Sequence, residues 1–192
     1  MTMHPKVSVF VEATDRTVNV IEERFDIAIR ALPVIEDVAG LVAKTLGHSQ
    51  RVLVVSPAFL ERYGRPEHPA NLPKFNTVAS SDDIFDNGAR WTLTDRGTQT
   101  QQVALKPRLV TSDLRTRLQA AIHGIGIALL PEQVVCTPLK EGLIERVLSE
   151  WSGANNILHL VYPTPRGMLP SARSLIDYLL IQVPTWLQER SI

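Results

Sequence analysis

Three short stretches hold the residue types from which a site for a small charged molecule is built. Arg30 ends an apolar run, Asp26 to Arg30 (DIAIR), and is followed by Ala31 and Leu32. A guanidinium there can clamp an anion through two parallel N–H bonds, or it can pair with a surface acid. Ser80 and Ser81 follow the run Phe75 to Ala79, and Thr111, Ser112 and Asp113 follow the run Thr100 to Leu109. In open α/β sheets such turns lie at the carboxyl ends of strands, where ligands bind. Their hydroxyls, with the N–H groups of a helix opening at Leu114, suit a small carboxylate. The same residue types also serve simply as helix caps and turn formers.

Catalytic chemistry finds no assembled set. The chain has no G-x-S-x-G elbow, no H-E-x-x-H, no Walker loop and no kinase signature. His4, His48, His68, His123 and His159 are scattered, with no pair spaced to seed a metal site on a helix. Gly124-Ile125-Gly126 is a fragment of a dinucleotide loop, without the third glycine and after a helix rather than a strand. Cys136 sits among apolar residues, as a packed thiol does. Asp82, Asp83 and Asp86 form an acidic cluster that reads more simply as a solvated loop than as a cation site. The expectation is no catalytic residue, no metal and no cofactor.

These candidates need a scaffold, and the composition supports one. The chain has 192 residues, 44% of them hydrophobic, with 20 Lys+Arg against 20 Asp+Glu. A chain of this size buries roughly 70% of its unfolded surface, so a core forms without staples. One cysteine excludes a disulfide scaffold. The neutral balance argues against gripping nucleic acid unaided, since phosphate neutralisation needs a basic surface. No run reaches the roughly 18 apolar residues of a membrane span, and Met1 to Phe10 lacks a signal-peptide pattern. The expectation is a soluble, cytoplasmic protein.

Hydrophobic periodicity predicts strands at Val7–Val11, Asp26–Arg30, Arg51–Ser56, Phe75–Ala79, Trp91–Thr94, Thr100–Leu109, Ile127–Leu130, Leu143–Val147 and Leu158–Tyr162. Helices are expected at Val18–Phe25, Ala58–Tyr63, Leu114–His123 and Ser171–Leu180, with a short turn over Glu132–Pro138 and an interruption at Pro184. Asn87-Gly88 and Arg96-Gly97 read as turns. Strands alternate with helices, which predicts an α/β architecture with mostly parallel sheets.

The order of these segments resembles one family. Val18 to Arg30 (VNVIEERFDIAIR), Arg51 to Gly64 (RVLVVSPAFLERYG), Gly124 to Pro131 (GIGIALLP), Leu143 to Trp151 (LIERVLSEW), Leu158 to Pro163 (LHLVYP) and Ser171 to Leu180 (SARSLIDYLL) look like the effector-binding domain of LysR-type transcriptional regulators. The resemblance implies a type 2 periplasmic-binding-protein-like fold, two α/β lobes with a cleft between them. With crossovers near Val54 and Tyr162, lobe one is residues 1–54 plus 163–192 and lobe two is residues 55–162. By similarity the cleft draws on Arg30, Ala31 and Leu32, on Ser80 and Ser81, and on Thr111, Ser112 and Asp113. The family's winged helix-turn-helix comes first, whereas this chain opens at a segment like the second strand of lobe one, His4-Pro5-Lys6-Val7. The expectation is that the DNA-reading module, a central strand and one dimer-forming helix are missing.

The implied function is an effector-sensing, oligomerising domain of a bacterial regulator, without catalysis. Its expected partners are a small anionic effector (a carboxylate or an aromatic acid), a second copy in a dimer, and DNA only through the missing N-terminal part; no membrane partner is expected. Two other readings stand beside it: a solute-binding protein of a transport system, which uses the same cleft but needs export, and a small α/β enzyme.

Overall fold

Two strands that are apolar on both faces set the architecture. A computed structural model describes residues 5–14, 18–96, 99–164 and 168–190. The strands are β1 (Ala28–Leu32), β2 (Leu41–Val55), β3 (Thr77–Ala79), β4 (Ile84–Phe85), β5 (Gly88–Asp95) and β6 (Thr100–Leu105). They continue with β7 (Leu109–Val110), β8 (Ile127–Pro131), β9 (Glu145–Arg146), β10 (Trp151–Ser152) and β11 (Asn155–Pro163). The helices are α1 (Pro57–Tyr63), α2 (Leu114–Ile122), α3 (Glu132–Lys140) and α4 (Pro170–Glu189). The chain divides into two compact units, residues 1–47 with 157–186 and residues 48–156 with 187–192. Val54 and Tyr162 lie within β2 and β11, the two strands along which the chain passes from one unit to the other.

In the first unit β11 lies between β1 and β2. β1 runs antiparallel to β11, with Ala28 opposite Val161, Arg30 opposite His159 and Leu32 opposite Ile157. Side chains alternate across a strand. Leu158, Leu160 and Tyr162 therefore join Leu46, Ile176 and Leu179 in one core layer. Val161 packs on the other side with Ala28, Val20, Phe25, Leu41 and Ala43.

In the second unit the order is β2, β8, β3, β7, with β9 also on β2. Val52 and Val54 of β2, with Ala128 and Leu130 of β8, pack with Ala120 and Ala121 of α2 and Val135 of α3. Leu53, Val55, Ile127 and Leu129 face the other way, against Trp91, Leu93, Val103 and Leu105 of a second sheet. That sheet pairs β10, β5 and β4, with β6 on β5.

The sheets correct one expectation. Around β8 the pairing is mixed: β3 pairs parallel with β7 and β8, while β2 pairs antiparallel with β8 and β9. The second sheet is antiparallel throughout. Apolar runs report burial on both faces, and here helices on one side and a second sheet on the other supply it without a parallel neighbour.

Other elements differ locally. Val7–Val11 forms no strand, and Phe10 and Val11 stand 83% and 77% exposed. Val18–Phe25 is a run of turns rather than a helix. There the Asn19 carboxamide accepts from the amides of Ile21 and Glu22, closing the chain locally in competition with a helical ladder. The run Thr100–Leu109 splits into β6 and β7 around Pro107, which lacks the N–H a ladder needs. Only Glu145 and Arg146 of Leu143–Val147 are strand. Pro184 does not stop α4, which continues to Glu189, with the Thr185 hydroxyl donating to the Ile181 carbonyl at 3.2 Å. Gly97 of the expected Arg96-Gly97 turn lies outside the described residues, as does His4.

Candidate functional site

Arg30 projects from the middle of β1, on the same face as Ala28 and Leu32. Its Nη2 donates to the Val18 carbonyl at 2.6 Å, which ties the side chain to the preceding turn. Its Nε is buried without a hydrogen-bond partner. The surface-pair reading of this residue finds no support, since Arg30 makes no ion pair with a described residue.

Arg30 lines a pocket of about 200 Å³ that lies wholly within the first unit. Leu32, Leu41, Ala43 and Val161 give it apolar walls, and the Ile35–Val38 segment that follows β1 completes it. His159, opposite Arg30 in the strand register, also lines it and is 1% exposed. His159 Nδ1 lies 2.9 Å from the Ile157 carbonyl. Carried as Nδ1–H, that bond leaves Nε2 for another partner. Of the neighbours named with Arg30 from sequence, Leu32 lines this pocket, while Ala31 is exposed on the alternate side of β1.

The remaining sequence candidates meet in the second unit. β3 and β7 are parallel, with Ala79 beside Val110, and the Ala79 carbonyl accepts from the Thr111 amide at 3.2 Å. Ser80 and Thr111 therefore leave adjacent strand ends. Ser80 is buried and caps the single turn Ser81–Asp83, its Oγ accepting from the Asp82 amide at 3.4 Å. Ser81 is exposed.

Asp83 fixes this turn, and sequence reasoning missed its role. Its carboxylate accepts from Arg51 Nη2 at 2.9 and 3.0 Å, from Trp91 Nε1 at 3.1 Å and from the Ser80 amide at 3.0 Å. These four bonds make Asp83 a brace, and among the described residues no group of three or more His, Cys, Asp or Glu is placed to hold a metal. Arg51 reaches Asp83 because β2 brings it opposite Pro131, at the end where β8 finishes.

Thr111 Oγ1 accepts from the Asp113 amide at 3.2 Å, and the Ser112 carbonyl accepts from Arg117 Nη2 at 3.3 Å. Asp113 caps α2, accepting from the Thr116 amide at 2.7 Å and the Thr116 hydroxyl at 2.5 Å. The Thr116 hydroxyl, then the Thr116 amide and the charges of Arg115 and Arg117, hold the Asp113 carboxyl below the usual aspartate range against a smaller opposing effect of desolvation.

The weaker motifs resolve into packing. A Cβ on Gly126 would stand 2.6 Å from the Asn76 carbonyl, so this glycine lets β8 approach the segment entering β3. Gly124 has φ +69°, the left-handed conformation that follows α2. Cys136 is buried on α3. No described helix is long and apolar enough to cross a membrane.

Three comparisons bear on this arrangement. An HTH-type transcriptional regulator of Xanthomonas campestris pv. campestris is 27% identical over 184 residues, covering 94% of this chain but only 52% of its own length. The chain thus spans about half of that relative. The full-length Vibrio cholerae virulence activator AphB, a member of the LTTR protein family, superposes with TM-score 0.81 at 22% identity, over 94% of this chain and 59% of AphB. The regulatory domain of CrgA, a LysR-type regulator of Neisseria meningitidis, gives TM-score 0.73 at 22% identity over 88% of this chain and 81% of that domain. These relatives are transcriptional regulators, not enzymes, and their regulatory domains have the two-lobe type 2 periplasmic-binding-protein-like fold. The family description that matches residues 1–183 is "LysR substrate binding domain". On that match the chain belongs to the LysR substrate-binding domain family.

Proposed function

We propose that this chain senses a small carboxylate on behalf of a LysR-type regulator acting in the cytoplasm, and that the two units are its two lobes. In this reading Arg30 anchors the carboxylate with Leu32 on the wall beside it and Ala31 next to them on the other face of β1, and Ser80, Ser81, Thr111, Ser112 and Asp113 make up a second candidate set within the second unit. Binding favours one shape of the domain over another, and that bias reaches the DNA-binding part of the parent protein in a dimer. A ligand indifferent to both shapes changes nothing.

The observation that carries the reading is Arg30: a buried guanidinium nitrogen without a partner, on the wall of a pocket, with no ion-pair acid among the described residues. Buried donors in folded proteins are nearly always satisfied, and of the described buried atoms left without a partner only Arg30 Nε belongs to a residue of this pocket, where a ligand would bring the acceptor. A carboxylate fits the fork geometry of the guanidinium.

Isothermal titration with a panel of short and aromatic carboxylates tests it. Arg30→Ala weakens the binding of a true effector by about 1.5–3 kcal/mol, the range of a charge-assisted bond. Unchanged affinity in a folded Arg30→Ala protein refutes the anchor.

A further inference from the structure

The pocket around Arg30 is not simply cationic. Its lining carries one arginine and two carboxylates, Glu36 and Asp37, on the segment that follows β1. Both acids are exposed, and neither carboxylate has an ion-pair partner among the described residues. A plain anion entering here meets Arg30 but also two like charges, which oppose it. The lining is satisfied by a molecule that carries both signs.

Resting on the reading of Arg30 as a carboxylate anchor, we infer that the ligand is a zwitterion, a short amino acid whose ammonium group faces Glu36 and Asp37. The apolar walls, Leu32, Leu41, Ala43 and Val161, receive a small aliphatic body between the two poles. The size agrees. A volume of about 200 Å³ lies below the roughly 300–1,000 Å³ of drug-sized sites and suits a ligand of few heavy atoms. An ammonium is a compact donor of three hydrogen bonds, which two neighbouring carboxylates can share.

The test compares amino acids with their deaminated counterparts on the intact chain, by titration calorimetry at low salt: L-valine against isovalerate, and γ-aminobutyrate against butyrate. The amino member of at least one pair binds about tenfold tighter, as expected for a charge-assisted contact at a partly exposed site. The Glu36→Gln/Asp37→Asn double variant, which changes exposed side chains only, brings the two members of that pair to within about threefold. Arg30→Ala weakens both members together. Equal affinity of both members for the unmodified chain overturns the zwitterion and leaves the Arg30 anchor standing. Absence of binding by every member overturns the anchor and the zwitterion with it.

Discussion

Asp113 shows how much of a strand-end turn is held by one side chain. Its carboxylate closes the first turn of α2 through Thr116, and the same bonds depress its pKa, because they favour the charged form. A carboxyl whose folded pKa is lowered adds stability above its unfolded pKa and loses it as pH falls through the folded value. The loss therefore falls in the acid range below the ordinary aspartate value. Thr116→Val removes the hydroxyl, the largest cause of the shift, and moves the Asp113 pKa upward. Carbon-detected NMR titration of Asp113 checks this, and an unmoved titration refutes the hydroxyl's role. Arg30 presents the opposite case, a charged group whose local bonds leave one donor over. The proposed anchor rests on that surplus, whereas the Asp83 carboxylate is used up by the fold.

Among the elements, the entry to β8 is the tightest junction. Gly126→Ala places a methyl 2.6 Å from the Asn76 carbonyl, and backbone on both sides has to move. A destabilisation of about 1–3 kcal/mol follows, the usual cost of overpacking, and urea denaturation measures it. Stability unchanged by Gly126→Ala contradicts the close approach.

Part of this was legible in the sequence. β8, α1, α2 and the end of β3 were readable, because short apolar runs bounded by Gly, Pro and helix-cap residues carry their own boundaries. The direction of strand pairing was not. Val52–Val55 and Ile127–Leu130 are uniformly apolar because both faces are covered, and that pattern is blind to whether neighbours run parallel. The meeting of Arg30 with His159 was equally hidden. It depends on an antiparallel register between segments more than a hundred residues apart, and the only local trace is a histidine breaking the run Leu158–Tyr162. Val7–Val11 illustrates the remaining failure, since strand propensity is expressed only where a neighbour completes the ladder.

At the scale of the whole molecule, sensing requires that ligand binding be coupled to the folded state. An effector at about 100 times its dissociation constant stabilises the chain by roughly 2.7 kcal/mol. For a domain of 150–250 residues that corresponds to a rise in melting temperature of about 5–10 °C. Differential scanning fluorimetry across the carboxylate and amino-acid panel reads this directly. Melting curves that coincide for every compound at millimolar concentration contradict a working sensor. The outer side of β1 has a separate consequence. It ends its sheet with no described strand beyond it, and Ile29 is half exposed there, while Val9, Phe10 and Val11 are exposed elsewhere in the unit. An unpaired edge is a template for another chain. The formal net charge is +0 at pH 7, so little long-range repulsion keeps copies apart. Colloidal stability is therefore poorest near neutrality, and buffers well away from pH 7 keep the chain dispersed.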